Sequence, residues 1–281
     1  RCAVWRFAQA AWGLERRRQD MKIAVCQMDA AISDQEERLS ELERSAGAAA
    51  EEGARILVFP ELAVTGYGAG ALIASTAEGM NDSPVLVRLS DLAQKLGLAM
   101  VVGIALKEGD HIFNEAVFLA PDGSRTGYSK IQLYGDYEKG LFRPGEAASA
   151  IVEFEGLKLG FLVCFDVEFP ERTRDLVMRG ADLVLVPTAL PKSSAGSFIA
   201  GSVVPVRAFE NQIFIAYANH CGADQNFAYQ GCSCVAAPDG ALLASASMKA
   251  GLLFADIKPQ AYEHSREQNP YLDELVVLDD V

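Results

Sequence analysis

Three strand-like runs in this sequence each end on a side chain able to do chemistry. "ILVFPE" closes on Glu61, "FLVC" on Cys164, and the return strand of "GSRTGYSK" on Lys130. In open α/β folds, sites gather where strands end, because the loops there hold polar groups over a rigid scaffold. A cysteine attacks efficiently only as thiolate, so it needs a base or a lowered pKa. None of the three segments contains histidine, which disfavours a cysteine–histidine pair and leaves Glu61 as the base candidate. Each residue also has a plainer reading on its own: a solvated strand-end carboxylate, a surface lysine, a packing thiol.

The elements that must position these side chains alternate along the chain. "KIAVCQM" (22–28) predicts a strand, and 34–52 a helix capped by Ser33 or Asp34, with Glu36 and Glu37 favourable to its dipole. "ARILVFPE" (54–61) and "LAMVVGIAL" (98–106) are continuous apolar runs, the pattern of strands buried on both faces. Between them, 84–97 reads as a helix closed by Gly97. "NEAVFLAPDGSRTGYSK" (114–130) predicts a hairpin around Pro-Asp-Gly, and a second such turn stands at 238–240. After the 161–164 run, Pro170 suits the first turn of a helix that Gly180 ends. "ADLVLVPTA" (181–189) is another buried strand, 197–211 a helix, and 212–222, 231–246 and 251–257 further strands.

Bulk properties narrow the function. The 281 residues carry 25 basic and 38 acidic side chains, a net charge of −13. That speaks against nucleic acid or an anionic membrane as partner, and no stretch approaches the roughly 20 apolar residues of a membrane helix. Six scattered cysteines fit no disulfide framework, which predicts a reduced, cytoplasmic protein. Cys232 and Cys234 would share one strand face, but no second pair stands near them, and the three histidines lack ligand spacing. No metal and no cofactor is expected. Residues 1–20 lack a starting Met and fit poorly with the strand pattern that begins at Met21, so they read as an extension outside the fold. Residues 21–281 then form a single domain with a C-terminal tail from about 260.

The longer motifs carry a resemblance. "FPELAVTGY" around Glu61, "YSKIQLYGDYEKGLFRPG" around Lys130 and "GFLVCFDVEFPE" around Cys164 occur in the order found in the nitrilase superfamily of carbon–nitrogen hydrolases. "GADLVLVPTA", "VRAFENQIFIAYANHCG" and "PDG" come after them in the same order, so the resemblance covers essentially residues 21–257. It implies a four-layer αββα sandwich of two mixed sheets between helix layers. It also implies a Glu-Lys-Cys triad, carried here by Glu61, Lys130 and Cys164, with Glu138 matching the family's second glutamate. On that pattern Glu61 shuttles protons, Lys130 holds the thiolate and polarises the substrate carbonyl, and the N–H of Phe165 is a second oxyanion donor. Tyr67 and the 187–192 loop, with Thr188 and Ala189, are expected to line the pocket. Glu138 is expected to face the site rather than pair with Lys139 in a solvated loop.

Phe165-Asp166 followed by "EFPE" resembles the amidase branch more than the nitrilases, although phenylalanine stands where that branch usually has tyrosine. The expected reaction is hydrolysis of a small aliphatic or carboxylate-bearing amide through a cysteine thioester, by a homodimer or higher homo-oligomer whose tail wraps its partner. A carbamoylase and a nitrilase are the alternative enzymes. An inactive scaffold member and a cysteine redox sensor are the alternatives from other classes.

Overall fold

A computed structural model describes residues 19–276, so most of the expected 1–20 extension lies outside the described residues. The strands are β1 Met21–Asp29, β2 Ile56–Val58, β3 Ala99–Glu108, β4 His111–Leu119, β5 Arg125–Ser129, β6 Val152–Phe154, β7 Leu157–Phe161, β8 Leu183–Thr188, β9 Phe214–Cys221, β10 Cys234–Ala236, β11 Leu242–Ser245 and β12 Gly251–Ile257. The helices are α1 Gln35–Glu51, α2 Ala71–Thr76, α3 Pro84–Leu96, α4 Gly135–Leu141, α5 Pro170–Met178, α6 Ser194–Phe198, α7 Val204–Asn211 and α8 Glu263–Gln268.

Among the described residues these strands link into one mixed sheet of twelve, with central order β5-β4-β3-β2-β1-β9-β8-β7-β6. β12 pairs with β1, and β10 and β11 continue from β9. The two mixed sheets expected from the sequence are joined here into one at a single seam. The end of β1 runs parallel to the end of β9 through Met28↔His220 and Asp29↔Cys221. Either side of that seam the pattern repeats: β1, β2 and β3 are parallel, as are β9, β8 and β7, and antiparallel strands complete both outer edges.

Side-chain alternation explains how the layers pack, because successive residues of a strand face opposite ways. Ile23, Val25, Ile56, Val58, Ala99, Val101, Ala116 and Phe118 share one core with Leu159, Phe161, Leu183 and Leu185 of the other half. The alternate residues Ala24, Leu57, Phe59, Met100 and Val117 pack instead with Leu39, Leu42 and Ala46 of α1 and Leu86, Leu89 and Ala93 of α3. The caps follow the expected chemistry. Asp34 accepts from the N–H of Glu37, and Gly97 closes α3 in the left-handed conformation.

α2, α4, β6 and α8 fall where no element was expected, and three expected elements differ in extent, two of them beside candidate site residues. β2 stops at Val58 rather than running to Glu61: Pro60 has no N–H for the ladder, and Leu62 turns the chain with φ 50°. β7 stops at Phe161, and after Leu162 donates to Leu185 the chain leaves the sheet for a 3₁₀ turn, Cys164–Glu168. Cys164 therefore follows the strand end by a short step instead of being its last residue. The expected helix over 197–211 is interrupted by a π-turn at Ile199–Val203, in which the N–H of Val204 donates back to the carbonyl of Ile199. Pro205, lacking an N–H, comes directly after it and makes a widened turn tolerable.

Gly103 on β3 shows how tightly the loop carrying Glu61 is seated. A Cβ there would lie 2.3 Å from the carbonyl oxygen of Pro60 and 2.5 Å from Cα of Glu61. Both are backbone atoms, so the loop itself would have to move. Gly103→Ala is expected to cost about 1–3 kcal/mol by overpacking, and to lower kcat by far more than the loss of folded protein explains. Thermal melts alongside kinetics well below the melting temperature check this; unchanged kcat in a folded variant would show that the seat does not matter.

Candidate active site

Four carboxylate, amine and thiol groups converge where the strand ends meet. Lys130 follows β5 directly, Glu61 lies in the loop after β2, Cys164 opens the 3₁₀ turn after β7, and Glu138 sits in α4. Glu61, Lys130 and Glu138 are fully buried and Cys164 is 6% exposed, so the readings as surface charges fall away. Lys130 Nζ donates to Glu61 Oε1 at 2.7 Å and to Glu138 Oε1 at 2.6 Å. One lysine thus stands between two glutamate carboxyl groups.

The electrostatics follow from that arrangement. Burial would by itself lower the lysine pKa, but Glu61, Cys164 and Glu138 reverse this and raise it above the ordinary value. Glu61 is raised, first by desolvation, with Lys130 opposing. The Cys164 thiol is pushed well up by desolvation and then by the Glu61 charge, again against Lys130. The raised pKa favours the neutral thiol over the thiolate at rest. Glu61 Oε2 is buried without a hydrogen-bond partner among the described residues, so an oxygen is free to take a proton.

The backbone around the nucleophile is constrained from several directions. Cys164 holds φ 46°, a left-handed conformation unfavourable for a residue with a side chain. Strain of this kind persists only where the surroundings over-determine it, and it concentrates at functional sites. Asp166 provides much of the constraint. Its buried carboxylate accepts from the N–H of Val163 at 3.1 Å, the N–H of Gln132 at 2.8 Å and the hydroxyl of Tyr128 at 3.0 Å. It therefore ties the cysteine turn to the segments flanking Lys130.

The remaining expected site residues divide into two groups. Tyr67 is buried and its hydroxyl donates to Glu138 Oε1 at 2.9 Å, which makes it a support of the second glutamate. The N–H of Tyr134 donates to Glu138 Oε2 at 2.8 Å, so that carboxylate is fixed at both ends and does not pair with Lys139. Ala189 donates its N–H toward the Cys164 sulfur, favouring the thiolate. Thr188 spends its hydroxyl on the carbonyl of Val186, while its own carbonyl accepts from the N–H of Glu61. Phe165 is half-buried and packs edge-on to Tyr134 and Phe169.

Several contributors were not anticipated. Asn114 donates to Glu61 Oε1 at 2.6 Å. His220 Nε2 lies 2.8 Å from the Glu61 carbonyl, which can only accept, so that nitrogen carries the proton. Burial and then Arg38 lower the pKa of this histidine to about 3, keeping it neutral. Asn219 holds the loop bearing Ala189 by accepting from the N–H of Leu190 and donating to the carbonyl of Gly231. Their signal in the sequence was polarity inside apolar strand runs: "FNEAVF" and "AYANHCG". The Cys232–Cys234 pair does not share a strand face, because Cys232 has φ 55° and precedes β10.

Known proteins share this chain's sequence pattern and fold. The carbon–nitrogen hydrolase family model matches residues 22–267. The chain belongs to that family. It is similar to the crystal structure of an amidase from Nesterenkonia sp., with TM-score 0.82 and 35% identity, covering 94% of this chain and 96% of that one. Variants of that amidase have been solved with butyramide, and with the acetamide moiety of fluoroacetamide added covalently at the active-site cysteine. A Pseudomonas protegens protein described as a hydrolase in the pqqF 5' region is 38% identical over 223 residues, 79% of this chain and 78% of that protein. A Pyrococcus abyssi nitrilase is 31% identical over 229 residues, 81% of this chain and 85% of its own length. This chain is therefore a carbon–nitrogen hydrolase of the nitrilase superfamily.

The anchoring of Glu138 yields a prediction. Glu138→Leu removes the acceptor of Lys130, Tyr67 and the N–H of Tyr134 together. kcat should fall on the order of a hundredfold, the scale of a misplaced reacting group, while Glu138→Gln, which keeps an acceptor, should retain more activity. Steady-state kinetics with iodoacetamide labelling of Cys164 as the folding control will read this out. Near wild-type kcat/KM in the leucine variant would remove Glu138 from the machinery.

Proposed function

We propose that the enzyme is an amidase that converts a small aliphatic or carboxylate-bearing amide to the acid and ammonia through a thioester on Cys164. The observation that carries this reading is the buried cluster of a thiol, a lysine shared by two glutamates, and a glutamate oxygen left unpartnered among the described residues. In the first step the Cys164 sulfur attacks the amide carbon as its proton passes to Glu61. As the carbon–sulfur bond forms and the thiol proton joins the carboxylate, the negative charge passes from Glu61 to the carbonyl oxygen of the substrate. Lys130 and the N–H of Phe165 take the negative charge that develops on the carbonyl oxygen, a stabilisation worth most where water is excluded. Protonated Glu61 then gives its proton to the leaving nitrogen, the carbon–nitrogen bond breaks, and ammonia departs. Glu61, again ionised, removes a proton from water as the water attacks the thioester, then returns that proton to sulfur as the carbon–sulfur bond breaks, releasing the acid and restoring the thiol.

The amide preference is supported by the Phe165-Asp166 and "EFPE" sequence and by similarity to an amidase solved with amides. The four-layer αββα arrangement belongs to the same reading; the shared core between the two sheet halves and the outer packing of α1 and α3 support it. A homo-oligomer is supported by exposed Phe198 and Val206 on α6 and α7. A cytoplasmic setting is supported by unpaired cysteines among the described residues.

A panel of small amides and their matching nitriles tests the proposal, with ammonia as the product measured and Cys164→Ala as the control. Amides should be hydrolysed faster than nitriles by a wide margin, and the alanine variant should be inactive. Equal or faster nitrile turnover would move the chain to the nitrilase reading. Substantial turnover by Cys164→Ala would end the covalent mechanism.

A further inference from the structure

The donors around Glu61 treat its two carboxylate oxygens differently. Oε1 accepts from Lys130 Nζ at 2.7 Å and from Asn114 Nδ2 at 2.6 Å, whereas Oε2 is buried with no partner among the described residues. Asn114 lies on β4, opposite Ala105 of β3, and is 1% exposed. Its backbone carbonyl also accepts from the N–H of Lys130 at 2.8 Å. One residue thus holds the side chain of the base and the main chain of the lysine. Its own Oδ1 is buried without a partner among the described residues, so the amide is placed for the sake of its donor alone.

We propose that Asn114 is a positioning residue which, with Lys130, occupies Glu61 Oε1 and so makes Oε2 the oxygen that exchanges protons with Cys164 and the leaving nitrogen. The inference rests on the reading of Glu61 as the base. The titratable and charged groups around that carboxylate are Lys130 after β5, Glu138 on α4, Cys164 in the 3₁₀ turn, and the hydroxyls of Tyr67 and Tyr229. His220 meets only its backbone carbonyl. Asn114 is the neutral donor in this set, so removing it changes a hydrogen bond without changing a charge. A hydrogen bond to the ionised carboxylate lowers the pKa of Glu61; its loss raises that pKa. Since the base must be ionised to work, the acidic limb of the rate profile must then move to higher pH.

The test is kcat/KM against pH for wild type, Asn114→Leu and the isosteric Asn114→Asp, with the pH dependence of Cys164 alkylation by iodoacetamide followed in parallel. In Asn114→Leu the acidic limb of both profiles should move up by roughly one pH unit, with KM little changed. In Asn114→Asp a further carboxylate faces Oε1, and the limb should move further. If melting curves show that the leucine variant is unfolded, the aspartate variant decides the matter. An acidic limb that coincides with wild type in a folded variant overturns the proposal, whatever happens to the plateau rate. Failure of the wild type to hydrolyse any amide would strike the proposed function instead, and the alkylation profile would still decide the role of Asn114.

Discussion

The interaction on which this structure depends is a buried ammonium held between two buried carboxylates. Lys130 contacts Glu61 and Glu138 at hydrogen-bond distance with all three side chains out of solvent. Taking charges out of water is costly, and removing one member of such a network typically costs about 3–5 kcal/mol because the others are left uncompensated. Burial has a chemical consequence: desolvation raises the pKa of both the Cys164 thiol and the Glu61 carboxyl, with the Lys130 ammonium opposing it at each.

Such a cluster is useful only if its members are fixed to a fraction of an ångström, and the backbone provides that. The Glu61 loop is bonded through its N–H to Thr188, through its carbonyl to His220, and two residues on through the carbonyl of Ala63 to Arg38. It rests on a glycine that leaves no room for a Cβ. The His220 bond exists because β1 and β9 meet at a short parallel seam, which brings the two halves of the sheet together beside the site. Cys164 is held in a left-handed conformation by a turn that Asp166 fastens to the Lys130 segment. Each reacting group is therefore positioned by strands from both halves, which places the site where the halves join.

Much of this was legible in the sequence, for identifiable reasons. Buried strands announce themselves as apolar runs, and β12, Gly251–Ile257, was placed with its full extent. The capped helices α1 and α3 were placed to within a residue or two at each end. Glu61, Lys130 and Cys164 stood out as chemistry-bearing residues at strand ends, and it was the resemblance of their surrounding motifs to one family that joined them and added Glu138. What was not legible depends on the third dimension. A proline shortened β2, β7 lies at Leu157–Phe161 and ends where the 161–164 run begins, and a π-turn split a helix. None of these alters hydrophobic periodicity. Asn114, Asp166 and His220 act through partners distant in the chain, so only folding reveals what they hold. The seam joining the sheet halves is set by two residue pairs, too few to leave a pattern.

Burial and then the Glu61 charge push the Cys164 thiol pKa up, which favours a neutral thiol as the resting nucleophile. The most direct test is the infrared S–H stretch of the resting enzyme, taken as the difference between wild type and Cys164→Ala across a pH series, with thiolate ultraviolet absorbance as the complement. The S–H band attributable to Cys164 should persist through neutral pH and be lost only well into the alkaline range. Thiolate absorbance from Cys164 at neutral pH, with no S–H band, would contradict a neutral resting nucleophile.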